Sequence, residues 1–254
     1  MRAMSIVASI LAVAYLGLCA ALFAKQRSFI YFPPPPSRGQ RLPGFALLVD
    51  GAEVRVTTRL HSGVDAVIYF GGNAEDVAQS LPEIEAAYPD HALYLMNYRG
   101  YGESSGTPSE AALVGDALVL FDRVRVEHET IVVIGRSLGS GVAIQLAGRR
   151  PVSRLVLVTP YDSILELAAR QFQYLPVSLL LRDKFESWRF AATITAPTVV
   201  IAAEHDEVIP RRSTESLFAH FQVGIAALVV VPEVGHNTIS ESPDYTSLLR
   251  GVRK

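Results

Sequence analysis

Cysteine is nearly missing from this 254-residue chain, with Cys19 the single one. One thiol forms no intramolecular disulfide and supplies no cysteine-based zinc cluster. An excess of positive charge is missing as well. The 23 Lys plus Arg are offset by 25 Asp plus Glu, leaving a formal charge of -2. That balance lacks the electrostatic footprint that nucleic-acid binding requires. Charged residues amount to 19% against 50% hydrophobic ones, which excludes a disordered chain. There is no internal repeat or low-complexity tract, no His-Glu-x-x-His zinc motif and no phosphate-cradling Gly-x-x-x-x-Gly-Lys. What remains is enough chain for one α/β domain with a sizeable core.

The front of the chain is different. Residues 5–24 run for 20 positions without a charge, flanked by Arg2 on one side and by Lys25 and Arg27 on the other. As a helix rising about 1.5 Å per residue, this stretch spans roughly 30 Å, the thickness of a bilayer's hydrocarbon core. A cleaved signal peptide is the competing reading, because Cys19-Ala20-Ala21 offers a small-x-small site. The apolar run nevertheless exceeds the usual length of about 7–15 residues. Leu18 stands where a lipoprotein signal needs a small residue before its cysteine. The preferred expectation is a retained membrane anchor over residues 1–28, followed by a catalytic domain over residues 29–254. With a charge or two on each flank, the sequence does not choose the side of the membrane. Residues 29–32 (Phe-Ile-Tyr-Phe) and the four prolines 33–36 read as interfacial aromatics and a stiff polyproline II spacer lifting the domain off the lipid.

In the body, residues 45–50 and 53–59 read as a hairpin turning at Asp50-Gly51. Residues 64–70, 92–97, 130–135, 154–158, 198–202 and 226–231 are near-continuous runs rich in Val, Ile and Leu. Such runs suit strands buried on both faces of a parallel sheet. Helical stretches separate them. The clearest follows Thr107-Pro108-Ser109-Glu110, read as a capping box with Pro at the first helical position, and covers residues 111–126. Alternating strands and helices make a mostly parallel, doubly wound α/β sheet.

The chemistry concentrates at Gly135-Arg136-Ser137-Leu138-Gly139, placed directly after the strand 130–135 and opening a helix. A serine on such a sharp turn crowds its neighbours, so the positions two before and two after it must lack a Cβ. The free N–H groups of the helix it opens favour negative charge there. The hydroxyl needs a base and a group to orient that base. Of six histidines, only His236 follows a buried strand in a loop over the carboxyl edge of the sheet. His220 reads as solvated on an amphipathic helix and His128 as solvated in a surface loop. Asp206, just past the strand 198–202, can reach that imidazole; Asp162, after the preceding strand, is a geometric alternative. Two backbone N–H groups must meet the oxyanion. One is Leu138; the other comes from Gly71-Gly72-Asn73-Ala74, with Asn73 first and Gly72 second. Gly100-Tyr101-Gly102-Glu103-Ser104-Ser105-Gly106 is a weak likeness of a dinucleotide fingerprint, yet its helix opens only after the glycine run, so NAD binding is not expected.

Four groups of residues together resemble the α/β-hydrolase superfamily. They are Tyr69-Phe70-Gly71-Gly72-Asn73-Ala74, Asn97-Tyr98-Arg99-Gly100-Tyr101-Gly102-Glu103-Ser104-Ser105-Gly106, the Ser137 turn, and Asp206 with Gly235-His236. More narrowly they resemble its single-span bud-emergence (BEM-like) branch, related to serine-aminopeptidase-type hydrolases. Ser137, Asp206, His236 is also the chain order of that fold. Members often carry His-Gly-Asn where this chain has Gly71-Gly72-Asn73. The resemblance implies hydrolase activity without a cofactor. Residues 161–196, rich in Leu and aromatics, read either as a small helical cap over an acyl pocket or as a helix packed on the sheet. A membrane-anchored serine hydrolase of esters or thioesters, with a small-molecule or lipid acyl substrate, is the expected function. A peptidase or amidase, an acyltransferase, and an inactive tethered scaffold on the same fold are the alternatives.

Overall fold

The computed structural model describes residues 1–35 and 42–251. Eight strands form one sheet: β1 (Gly44–Val49), β2 (Ala52–Arg59), β3 (Asp65–Phe70), β4 (Ala92–Met96), β5 (Thr130–Arg136), β6 (Arg154–Val158), β7 (Thr198–Ala203) and β8 (Ala226–Val231). The first helices are α1 (Arg2–Lys25), α2 (Arg27–Ile30), α3 (Leu81–Ala87), α4 (Glu110–Arg125) and α5 (Leu138–Ala147). They are followed by α6 (Ile164–Gln171), α7 (Val177–Leu180), α8 (Trp188–Ala191), α9 (Arg211–Ala219) and α10 (Tyr245–Leu249). The sheet order is β1-β2-β4-β3-β5-β6-β7-β8. β1 and β2 are antiparallel to their neighbours, while β4, β3 and β5 to β8 run parallel.

Alternating side chains of each central strand feed two cores. Ala66, Ile68 and Phe70 of β3 pack on one face with α4 and α5 residues such as Leu113 and Val142. Val67 and Tyr69 face the other way, with Ile84 of α3 and Leu248 of α10. Burial on both faces is the reason these strands read as continuous apolar runs. From β3 the chain crosses to β4 on one side, then returns to β5 on the other. The ladder pairs Phe70 with Gly135, so the loops after β3 and β5 lie side by side at the point where strand order reverses.

The helix α4 is capped by a different residue from the one its sequence suggests. Ser109, not Thr107, is the cap, its hydroxyl accepting from the Ala112 N–H at 3.2 Å. Glu110 turns away from the capping-box position because two other backbone donors need it: its Oε2 accepts from the N–H groups of Lys184 and Phe185 at 2.7 and 3.0 Å. A charge-assisted pair of bonds outweighs one cap bond. His128 also departs from expectation. It is buried, with Nε2 2.9 Å from the Tyr94 hydroxyl and Nδ1 3.1 Å from the Gly63 carbonyl.

α1 is long and apolar enough to cross a membrane by length and composition. Its side chains Ile6, Ile10, Leu11, Val13 and Leu16 are all exposed, and Cys19 is its one buried residue. The segment after it is no free spacer. Tyr31 inserts into the core at 4% exposure, and the Gly102 N–H donates to the Pro34 carbonyl at 3.2 Å. Burial in the core removes the Tyr31 ring from water and lets it pack against apolar neighbours. Of the four prolines, Pro36 lies outside the described residues.

Candidate active site

Ser137 sits between β5 and α5 at φ 48°, ψ -115°, a strained conformation for a residue with a Cβ. The glycines around it are there for space. A Cβ on Gly135 would lie 2.4 Å from the Gly139 carbonyl oxygen, and one on Gly139 would lie 2.1 Å from that of Phe70. Ser137 Oγ is 2.9 Å from His236 Nε2. His236 Nδ1 is 2.9 and 3.0 Å from the two Asp206 carboxylate oxygens. Both side chains are nearly buried. Asp206 Oδ1 also accepts from the N–H groups of Val208 and Ile209 at 2.9 and 2.7 Å, which fixes its orientation. Asp162 is occupied elsewhere, accepting from the Ser216 hydroxyl at 2.7 Å. His220 is exposed just past the end of α9, its Nδ1 2.8 Å from the Ser216 carbonyl.

The loop after β3 is pinned from two sides. Glu75 Oε2 accepts the Gly72 N–H at 2.6 Å, while Oε1 accepts from the Tyr69 and Ser80 hydroxyls at 2.7 Å each. Arg136 Nη1 lies 3.7 Å from the same carboxylate. The Gly72 N–H is therefore engaged. The side chain of Asn73 faces the chain's front end: Nδ2 donates to the Ile30 carbonyl at 2.6 Å, and Oδ1 accepts from the Phe32 N–H at 3.0 Å and the Tyr101 hydroxyl at 2.7 Å. The Tyr98 hydroxyl donates to the Gly71 carbonyl at 2.7 Å, and burial raises its pKa well above the usual phenol value, so it stays a neutral donor. The aromatic residues of Asn97-Tyr98-Arg99-Gly100-Tyr101 thus brace this loop.

Sequence reasoning missed Glu75 and Glu207. Glu75 stands three positions after a glycine whose N–H needs an acceptor, but nothing local says which acceptor folds back. Glu207 Oε2 accepts the His236 N–H at 3.0 Å. That bond, with one from its own N–H, holds the Glu207 carboxyl below the usual carboxylate range.

Above Ser137 lies an apolar cavity of about 380 Å³, near the small end of ligand sites at roughly 300–1,000 Å³. Asn73, Ser137 and Leu138 form its floor, and Leu167, Phe172 and Leu175 of the cap form one wall. Residues 161–196 combine both readings: Ile164, Leu167, Phe172, Leu175 and Leu181 line the cavity as a cap, while Tyr161, Phe185, Ala191 and Ile194 are buried in the core on the sheet. Among the described residues, no cluster of three or more His, Cys, Asp or Glu side chains could hold a metal ion.

This elbow, sheet order and cap define an α/β-hydrolase fold. A family model described as alpha/beta hydrolase fold matches residues 65–186, and the chain belongs to that family. An uncharacterized protein of Mycobacterium tuberculosis (strain H37Rv) is 35% identical over the whole chain and 94% of its own length. Protein bem46 of Schizosaccharomyces pombe is 31% identical over 60% of this chain and 54% of its own length. The lysophosphatidylserine lipase ABHD12 of Danio rerio is 29% identical over 60% and 46%. The chain thus spans about half of those two relatives. Among solved structures, the Pyrococcus furiosus esterase Pf2001 superposes at a TM-score of 0.68 and 18% identity, covering 86% of this chain and 95% of that one.

Proposed function

We propose that this protein is a membrane-anchored serine hydrolase that cleaves the ester or thioester bond of a lipid acyl chain. The observation that carries the reading is Ser137 Oγ, 2.9 Å from His236 Nε2, at the floor of an apolar cavity. Asp206, oriented by two backbone N–H bonds, accepts from His236 Nδ1, which sets the imidazole's orientation and turns Nε2 toward Ser137 as the base. His236 takes the Ser137 proton as Oγ attacks the acyl carbonyl. The N–H groups of Leu138 and Asn73 meet the oxyanion, and the leaving group receives the proton from His236. Water deprotonated by His236 then attacks the acyl-enzyme and frees the acid and Ser137. The site needs no cofactor for these steps.

The cavity lining favours an acyl chain over a peptide, because it offers carbon contacts and few polar partners. The lipase named above supports a lipid substrate, and α1 with its exposed apolar surface supports an anchor over residues 1–28 of a domain over 29–254. The test is labelling of the full-length protein in detergent with a fluorophosphonate, wild type against Ser137→Ala, followed by ester, thioester and amide substrates of one acyl chain. Label lost in Ser137→Ala, with oxoester or thioester turnover above amide, is the expected result. A folded wild type that takes no label overturns the proposal.

A further inference from the structure

The cavity is not built from the catalytic domain alone. Leu22 and Phe23 from the last turn of α1, with Phe29 and Ile30 just beyond, line it together with Leu167 and Phe172 of the cap. An anchor that merely tethers has no reason to line the site. Here its C-terminal part and the residues just after it are fastened to the cap. The Gln26 side chain donates from Nε2 to the Leu180 carbonyl at 3.0 Å and accepts the Arg182 N–H at 2.7 Å. The Arg182 guanidinium lies over the Phe23 ring at 4.1 Å, and Arg27 pairs with Asp183 at 2.9 Å. Farther up the helix, the Tyr15 hydroxyl donates to the Tyr174 carbonyl at 2.9 Å.

That last contact sets a depth. Tyr15 precedes Lys25 by ten residues, so it lies about 15 Å along the helix axis, half a bilayer's hydrocarbon thickness. The tip of the cap lies beside it, and there Tyr174 and Leu179 are 91% and 82% exposed, with Phe172 partly so. Apolar groups left open next to a helix of membrane-spanning length are suited to lipid tails. The same anchor-proximal segment holds the oxyanion side of the site, through the Ile30 carbonyl and Phe32 N–H on Asn73.

We propose that the substrate's acyl chain enters the cavity directly from the hydrocarbon of the membrane, between the end of α1 and the cap, and that Leu22 and Phe23 of the anchor, with Phe29 just beyond it, are acyl-specificity residues. This rests on the serine-hydrolase reading above. A volume of about 380 Å³ equals roughly a dozen water-sized groups. It accommodates one acyl chain of medium length, and a longer chain trails its end into the bilayer. The substrate class is therefore a membrane-resident lipid or acyl thioester presenting a single chain.

Two experiments on the full-length protein in liposomes test this. In the first, Leu22→Trp fills the anchor wall, and kcat/KM is measured for palmitoyl and butyryl esters of one alcohol. The palmitoyl-to-butyryl ratio falls roughly 10- to 100-fold, the scale of a mismatched apolar pocket, while Leu16→Trp, exposed and off the cavity, keeps the wild-type ratio. In the second, Trp188, the single tryptophan, becomes Phe, and Tyr174→Trp is placed in that background with lipids brominated in their acyl chains. Its fluorescence is quenched well beyond that of Val223→Trp, exposed on the loop after α9. A ratio unchanged within about twofold in a Leu22→Trp protein that still takes fluorophosphonate overturns the acyl-wall assignment. If Leu22→Trp takes no label, the quenching arm decides. Equal quenching at the two positions overturns entry from the bilayer. A wild type that takes no fluorophosphonate instead overturns the serine-hydrolase reading and this inference with it.

Discussion

Glu75 touches no substrate, yet its removal is expected to reach both stability and rate. Glu75→Ala strips the acceptor from the Gly72 N–H, the Tyr69 and Ser80 hydroxyls and the Arg136 guanidinium. The Glu75 and Arg136 side chains are 12% and 17% exposed. Breaking a buried charge pair by removing one partner costs about 3–5 kcal/mol. The 3.7 Å separation and the nearby Glu83 carboxylate, which also faces Arg136, place this case at the low end, near 3 kcal/mol. For a domain of this size, each kcal/mol lowers Tm by about 2–4 °C, so the expected fall is roughly 6–12 °C. Losing one oxyanion donor outright costs about 10²–10³ in kcat. Here the donor is displaced rather than deleted, so kcat falls about 10- to 100-fold with little change in KM. Glu75→Gln keeps one carbonyl oxygen for the Gly72 N–H and recovers most of kcat but less of Tm. The assays are thermal unfolding by circular dichroism and steady-state hydrolysis of a short ester. If Glu75→Ala loses the expected Tm but keeps kcat, the residue supports the fold and does not position the oxyanion loop. If neither moves, the reasoning from its four buried partners is wrong.

Asp206→Asn retains a carbonyl oxygen for the Val208 and Ile209 N–H groups but presents the wrong partner to His236. We expect kcat to drop about 10⁴-fold with fluorophosphonate labelling slowed and Tm little changed; a drop below tenfold refutes the orienting role. His91 supplies a pH test. Its pKa is lowered from 6.5, chiefly by burial, so the unfolded chain takes up the proton first as pH falls. Its contribution is therefore complete above the ordinary imidazole value and is lost as pH drops below it toward the depressed folded value. The urea midpoint should fall between about pH 7.5 and pH 5.5, and His91→Gln should fall less; equal drops exclude His91 as the source.

Much of the molecule was legible because its causes are local. The steric crowding at Ser137 demands glycines at 135 and 139 wherever the turn occurs, and strands buried on both faces show as apolar runs in any context. Ser137, Asp206 and His236 each follow a strand, so the sequence could place them at one edge of the sheet, while their hydrogen-bond contact is what the fold supplies. The two errors near helices were contests between partners. Ser109 replaced Thr107 as a cap because Glu110 was drawn to Lys184 and Phe185, more than 70 residues away. His128 was buried because Tyr94 and Gly63 happen to converge on it.

Composition and periodicity thus determined an α/β domain, its Gly-x-Ser-x-Gly turn and an apolar helix of membrane-spanning length. Which strands are neighbours, and therefore which loops meet, was decided only by tertiary structure. The return of the chain to place β5 beside β3 sets Asn73 next to Ser137, and no local pattern encodes that crossover. The end of α1 becomes a cavity wall for the same reason. Periodicity reports that a face is apolar, but only packing chooses whether lipid, the cap or a substrate covers it.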